Sequence, residues 1–582
     1  MKRIALYLFR DEHGIVDEYV GYCLERLRPH VERIEVVATH PLTPEGRAKL
    51  EALSDELRQL EGTAAVEARA AGLRSLDRER LAQYDELLLA DDGAFGPIDP
   101  DGTFDALFAR AEAQGGELWT VADSGWFGVR RSLFDSPGFG AGGAAGAGAA
   151  GAPGAIDSSS LDRALREARQ LFGESEYPSP APGIADTVAQ IAAGCPLLGR
   201  EVFSRDPNAH ASFAIIGREA LEAIEQAGAY PAPLIWQHIA RTVEPRVAAT
   251  NFSLMRIFSD QPEASHDELE RIRGLRAAVL LHCFYEDMLD EIVDRAAQLP
   301  CARHLVVTTD TEQKRLRIEQ RLARRAEPSF EVRVVESNTG RDVSAFLITC
   351  ADVLRDEHFD LVVKLHTKRS PQDARPAADW FRRHLFENLL HSPGYASNVL
   401  RLFVRHPEIG MVMPPAVHLG YRTLGNAWYR NKRPAAALCA ELGITVPLDY
   451  ATPLAPLGSM FIARPAALRT LVDAGFDFRD FEGDYADGSL AHVLERLFSL
   501  SSLNAGMPVY SVMHTGLASI NYMFLEYKLQ SFSEYLPGNA VEQKALLERR
   551  ARSLNVMGWA RAVLERRAPR LAERVKARLG SR

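Results

Sequence analysis

A pattern of apolar strand, helix, apolar strand occurs twice in this 582-residue chain at nearly the same spacing, and it constrains the fold more than any other feature. Ile4–Leu8 and Ile34–Thr39 read as buried strands around a helix from Val16 to Leu27. Ala277–Leu281 and His304–Thr309 read alike around a helix from Asp287 to Ala297. A long charged segment follows each pair, Thr43–Leu60 and Thr311–Ala326, and both read as helices. An aromatic-Asp pair then enters a third strand, Tyr84-Asp85 in one place and Phe359-Asp360 in the other. Strands joined through helices pair in parallel, so each stretch is expected to form an α/β domain of Rossmann type. Lys2 lies 82 residues before Tyr84 and Arg276 lies 83 before Phe359, which points to an internal duplication. Two unrelated α/β domains would alternate in the same way, so spacing alone leaves that alternative open.

The rest of the chain divides around these two stretches. Gly138–Gly154 is almost all Gly and Ala and cannot order itself by burying side chains. Ala185–Ile257 reads as helical and is expected to pack on the first copy. The expected order is a first domain over 1–135, a linker over 136–175, a helical connector over 176–270, a second domain over 271–535 and a basic helical tail over 536–582. From Val541 to Arg582 twelve Lys and Arg face four Asp and Glu, whereas the whole chain carries a formal charge of -10. An acidic body excludes a general nucleic-acid binder, and a basic amphipathic tail suits the anionic face of a membrane. Six scattered cysteines without metal-ligand spacing, no apolar run of membrane-spanning length and no signal-like N-terminus lead to the expectation of a cytoplasmic protein, peripheral on the inner membrane through its tail.

Candidate chemistry concentrates in the second half. Val334-Val335 runs into Asn338-Thr339-Gly340-Arg341-Asp342 ahead of a helix, and such strand-loop-helix junctions bind ligands in α/β sheets. A plain N-cap at Asp342 is the bland reading. The next strand ends in His366-Thr367-Lys368-Arg369, where fixed positive charge could hold a leaving diphosphate without a metal. Gly458-Ser459-Met460-Phe461 enters another strand and is followed by Arg464. Asp487, and after it Asp484 or Glu482, could deprotonate an acceptor hydroxyl, and Gly488, His492 and Glu495 share the helical face beyond. In the first half, Thr63-Ala64-Ala65-Val66-Glu67 stands where the second has its Asn-Gly-Asp turn. Asp91-Asp92 there could bind a metal or could simply be turn acidity before Gly93.

Together these pieces resemble the rhamnan synthesis protein F family. The resemblance rests on Asn338–Asp342, Leu365–Lys368, Gly458–Phe461 with Arg464, and Asp487–His492 with Glu495-Arg496. Gly14–Val20 and Asp92–Pro97 extend it into the first half. It implies two GT-A-like, nucleotide-sugar-binding domains and a glycosyltransferase of bacterial O-antigen or rhamnose-polysaccharide assembly. The implied donor is dTDP-rhamnose and the implied acceptor a lipid-linked oligosaccharide. On this reading Asp487 is the base, with Asp484 second, and His366, Lys368 and Arg341 stabilise the departing diphosphate. Asn338, Gly340, Asp342, Thr367 and Arg369 complete the donor site. Gly458, Ser459, Met460, Phe461, Arg464, His492 and Glu495 form the acceptor side. No metal or other cofactor is required. The first copy departs from the family in its missing turn, which favours a degenerate role. A non-catalytic scaffold that binds glycan or partner transferases is the main rival function, and a transferase of phosphate-containing groups the second.

Overall fold

In the computed structural model the described residues are 1–60, 69, 71–73, 76, 78–98, 103–121, 124–134, 169–170, 187–211, 214, 216–228, 230–325, 329–369, 375–421, 423–483 and 485–554. They build mixed α/β architecture with two Rossmann-like sheets. The Gly/Ala-rich stretch, Thr63–Glu67, Asp484 and the tail beyond Leu554 lie outside the described residues.

The first sheet holds seven strands in the order β3-β2-β1-β4-β7-β6-β8. These are β1 (Arg3–Phe9), β2 (Arg33–Ala38), β3 (Glu56–Gln59), β4 (Glu86–Asp91), β6 (Leu118–Thr120), β7 (Phe127–Arg130) and β8 (Arg169–Gln170). A small pair, β5 (Ala94–Phe95) and β9 (Leu198–Gly199), stands apart. The second sheet has eight strands in the order β10-β17-β15-β16-β14-β11-β12-β13. These are β10 (Met255–Phe258), β11 (Arg276–His282), β12 (Ala302–Thr309), β13 (Ser329–Val334), β14 (Leu361–His366), β15 (Met411–Met413), β16 (Phe461–Ala463) and β17 (Val509–His514). Strands β1, β4, β11 and β14 are apolar runs buried on both faces, which suits parallel strands covered by helices.

The two sheets follow one route. Four parallel strands (β3-β2-β1-β4 and β13-β12-β11-β14) are followed by one antiparallel neighbour, β7 or β16. The Lys2 N–H donates to Asp85 at 2.9 Å, and the Arg276 N–H donates to Asp360 at 2.8 Å, so the aromatic-Asp pair pins the same strand start in each sheet.

Two expected elements differ. Thr43–Leu60 is not one helix: the helix stops at Leu53 and β3 follows. Glu56 and Arg58 of this edge strand ion-pair with Arg33 and Glu35 of β2, so charges that read as a solvated helix face guard a sheet edge. The connector is helical through Pro245–Asn251, but its last part is β10, a strand of the second sheet. Its helix Ala232–Thr242 packs on the first half, where His238 and Arg241 meet Asp17 at 2.6 Å each. Arg246 donates its N–H to Asp449 of the second half at 2.9 Å.

The described residues of Met1–Ala416 and of 423–514 form one compact unit. Val417–Tyr421 and the described residues from Thr515 onward form another. In the latter, the His418 N–H donates to Asn521 at 2.7 Å, and the helix Thr515–Ser533 exposes Met523, Tyr527 and Phe532. No helix among the described residues is long and apolar enough to cross a membrane.

Candidate active site

Parallel pairing places His282 beside Thr308 and beside His366, so three adjacent strands end together. The turn after β13 brings Asn338–Asp342 over the same edge. Gly340 and Arg341 both have left-handed backbone, at φ 76 and 54. A Cβ on Gly340 would lie 2.4 Å from the Phe481 ring, so the first of these positions admits only glycine. Gly458 and Ser459, entering β16, form a second left-handed pair at φ 95 and 55. Non-glycine residues held this way cost roughly 1–3 kcal/mol each, and such strain collects at functional sites.

At the centre is a buried ion pair. Lys364 of β14 is 1% exposed, and its Nζ donates to Asp342 at 2.6 Å and to the Ser459 carbonyl at 3.0 Å. Its ammonium lies 5.4 Å from the Phe346 ring centre and 5.9 Å from that of Phe498. Burial would raise the Asp342 carboxyl, but His366 and Lys364 hold it well below the usual carboxylate range. Burial pushes the His366 imidazole down to about 3, against the pull of Asp342 and reinforced by Lys364 and Lys368. His282 is lowered chiefly by burial as well. Both imidazoles are therefore neutral near pH 7, and His366 offers a hydrogen bond rather than the fixed cation expected of it.

Among the described residues His282 Nε2, His366 Nδ1 and Asn338 Oδ1 are buried without a well-formed hydrogen bond, but the Asn338 side chain faces His282 and His366 Nδ1 lies 3.6 Å from Asp342. Unsatisfied buried groups are rare because each costs about 1–3 kcal/mol. Asp342 is the carboxylate among these described groups, and Lys364 already holds its Oδ2.

The expected acceptor side divides. Glu495 Oε2 accepts from the Gly458 N–H at 2.9 Å and from Ser459 Oγ at 3.2 Å, while Arg496 holds Oε1 at 2.6 Å. The Arg341 guanidinium lies 3.5 Å from the Tyr485 ring centre, and the Tyr485 ring is 4.5 Å from His492. Met460 and Phe461 are fully buried core. Arg464 does not join the site. Because β16 runs antiparallel to β14, Arg464 emerges at the opposite sheet edge and donates to the carbonyls of Ile409 and Phe403. Asp487 is exposed and accepts from Asn431 at 3.3 Å, on the loop that leads into the helix Leu490–Asn504.

The cationic strand end is also divided. The Thr367 hydroxyl accepts the N–H groups of Phe284 and Tyr285 at 3.0 Å each, tying β14 to the loop after β11. Lys368 is half-buried with Nζ 5.2 Å from the Phe381 ring centre, and exposed Arg369 pairs with Asp287. Sequence reasoning missed Lys364, His282 and Tyr485. A lone lysine inside the apolar run Leu361–Leu365 was the available signal, since a buried cation needs a partner.

The equivalent edge of the first sheet carries arginines. Asp91 pairs with Arg10 at 3.0 Å and Arg69 at 2.5 Å, and Asp92 pairs with Arg10 at 3.3 Å and Arg200 at 3.7 Å. Three guanidiniums neutralise the two carboxylates, which makes this a poor divalent-cation site. Elsewhere, Asp260, His391 and His514 converge. The two imidazoles stack at 3.8 Å and 6°, so one ion cannot lie in the plane of both rings.

Fold and site together define an α/β protein with a strained, polar cluster at the carboxyl ends of the parallel strands of its second sheet. The chain belongs to the rhamnan synthesis protein F family, whose sequence profile matches residues 172–507. It is 33% identical over 243 residues to uncharacterized protein WxcX of two strains of Xanthomonas campestris pv. campestris. That match covers 41% of this chain and 33% of each relative, so the chain spans about a third of their length. Among solved structures it is similar to glucosyl-3-phosphoglycerate synthase from Mycobacterium tuberculosis (15% identity, TM-score 0.20, covering 33% of this chain and 79% of that one). It is also similar to glycosyltransferase GlyE from Streptococcus pneumoniae TIGR4 (11%, 0.19, 66% and 89%). A third likeness is to mannosyltransferase Ktr4p from S. cerevisiae (11%, 0.23, 44% and 74%). Likenesses at these TM-scores carry no argument.

Proposed function

We propose that the chain is a glycosyltransferase of bacterial polysaccharide synthesis, working at the carboxyl edge of the second sheet. The observation that carries this reading is the buried Asp342–Lys364 pair between two left-handed turns at that edge, inside the stretch that the family profile matches. The donor is a nucleotide-diphosphate sugar, with dTDP-rhamnose expected, and the acceptor is a lipid-linked glycan.

In the proposed reaction an acceptor hydroxyl oxygen attacks the anomeric carbon. The bond from that carbon to the diphosphate oxygen breaks, and the hydroxyl proton passes to Asp487. Neutral His366 and His282 donate hydrogen bonds to the donor, while Arg341 and Lys368 supply the positive charge that meets the leaving diphosphate. Lys364 holds Asp342 and the Ser459 carbonyl, and so fixes both left-handed turns. Glu495 orients the Gly458–Ser459 turn on the acceptor side. No divalent ion is required, because β14 ends at His366 and is followed by Lys368 and Arg369 rather than by paired carboxylates.

The two sheets are read as copies of one domain, the first degenerate. Shared strand order and the matching Asp85 and Asp360 hydrogen bonds support this. Peripheral attachment to the inner membrane through 536–582 is supported by the basic excess there and by the exposed Met523, Tyr527 and Phe532 just before it.

A panel of nucleotide sugars in a thermal-shift assay, with and without chelator, tests the reading. Stabilisation by one donor, insensitive to chelation and lost in Asp342→Ala, is expected. A scaffold would bind glycan and respond to no nucleotide sugar.

A further inference from the structure

Tyr485, Ala486 and Asp487 are exposed, and an exposed loop does not by itself hold a carboxylate in one direction. A general base nevertheless has to lie within hydrogen-bond reach of the hydroxyl it deprotonates. Two contacts grip this loop. At one, the Tyr485 ring lies against the Arg341 guanidinium of the Asn338–Asp342 turn, at 3.5 Å. At the other, Asp487 and Gly488 meet Asn431.

Asn431 is fully buried, and its carboxamide makes three hydrogen bonds. Oδ1 accepts the Gly488 N–H at 2.8 Å. Nδ2 donates to the Trp428 carbonyl at 3.0 Å and to Asp487 Oδ1 at 3.3 Å. These partners fix the amide's orientation. Flipped, it would set N–H against N–H, and oxygen against a carbonyl and a carboxylate. Asn431 also stands just before the helix Lys432–Glu441, a position where asparagine is favoured because its side chain caps the first N–H groups. Here it makes no such cap. The side chain is turned from its own helix toward the Asp487 loop, so helix capping does not explain the residue.

The turn that carries Asn431 is firmly held. The buried Trp428 indole donates to the Asp449 carbonyl at 2.8 Å, and the Asn431 N–H donates to the Trp428 carbonyl at 2.8 Å. Between them Tyr429 has left-handed backbone at φ 47. In a bulky residue that conformation costs roughly 1–3 kcal/mol and persists only where its surroundings over-determine it.

We propose that Asn431 is the positioning residue of the base, aiming the Asp487 carboxylate at the acceptor hydroxyl. This role rests on Asp487 acting as the base. Asn431 holds Oδ1, and Oδ2 receives the hydroxyl proton as the acceptor oxygen bonds to the anomeric carbon and the diphosphate leaves. A neutral donor suits the task, because it orients the carboxylate without a fixed positive charge that would weaken it as a base.

The test takes the full chain with a nucleotide sugar and a lipid-linked acceptor. It reads turnover, the pH profile of kcat/KM and thermal stabilisation by the donor. Asn431→Ala should lower kcat about tenfold, a part of the roughly 10²–10⁴ that a general base contributes, and leave the donor's stabilisation in place. Asn431→Asp keeps the volume and an acceptor for the Gly488 N–H, but sets a carboxylate against Asp487. Like charges favour the protonated form, so the acid limb of the profile should move up by about one pH unit. The shift should persist in a His492→Gln background, since His492 on the following helix is a titratable group coupled to Asp487. An unmoved limb, a shift that vanishes without His492, or donor stabilisation lost together with turnover would each overturn the proposal. With Asp487→Asn still inactive, those results leave the transferase reading standing. Turnover that survives Asp487→Asn would instead remove the base, and this role of Asn431 with it.

Discussion

Replacing Lys364 by methionine isolates the contribution of the buried pair. Methionine fills much of the lysine stem between Phe346 and Phe498 but removes the ammonium that meets Asp342 at 2.6 Å. Lys364 is 1% exposed and Asp342 8%, so solvent cannot replace the lost partner. Stranding one charge of a buried pair costs about 3–5 kcal/mol, and the Ser459 carbonyl loses its donor as well. Asp342→Asn alone leaves the ammonium stranded and should cost a similar amount. The double variant has no buried charge, so it should be more stable than either single variant, with a coupling of about 2–3 kcal/mol in a double-mutant cycle. Urea unfolding followed by near-ultraviolet circular dichroism reads this out for all four proteins. Additive costs, or a Lys364→Met cost below about 1 kcal/mol, would refute the claim that these side chains form a desolvated pair.

Other expectations follow from the same geometry. His366 has a folded-state pKa of about 3, below its unfolded value of about 6.5, so the unfolded chain takes up a proton that the folded chain refuses. Its contribution is therefore present above about pH 6.5 and lost as pH falls toward 3, by up to about 1.4 kcal/mol per pH unit; His366→Gln should flatten that limb of a stability-pH profile. Asp487→Asn should lower turnover at least 100-fold, whereas Asp91→Ala with Asp92→Ala should lower it far less; equal losses in a kinetic assay would give the first half a catalytic role. A chain ending at Gly538 should bind anionic vesicles less than the full chain in co-sedimentation, and equal binding would remove the tail from membrane attachment.

Much of the fold was legible because parallel strands covered on both faces are continuous apolar runs. Ile4–Leu8, Ala277–Leu281 and His304–Thr309 fall inside β1, β11 and β12. The edge strand β3 was not legible, since Glu56-Leu57-Arg58-Gln59 is as polar as a helix surface and forms a strand only because β2 offers partners. Nor was β10, whose only strand neighbour among the described residues, β17, lies more than 250 residues away in sequence. In the site, the Asn-Gly-Arg-Asp turn and His366 were visible as a glycine-bearing loop and a polar strand end. The direction of β16 was not, and that direction carries Arg464 away from Ser459. Lys364 escaped because pattern reading assigned its strand to the core without asking where the charge in it was satisfied.

The most direct measurement is turnover by the purified full chain, given dTDP-rhamnose and a lipid-linked glycan, with released nucleoside diphosphate and transferred sugar counted together. The account predicts equal amounts of both, unchanged by exhaustive chelation, with Asp342→Ala and Lys368→Ala each slowing transfer by about 10²–10³. Turnover that those substitutions leave intact, or no turnover with any nucleotide sugar, would contradict it.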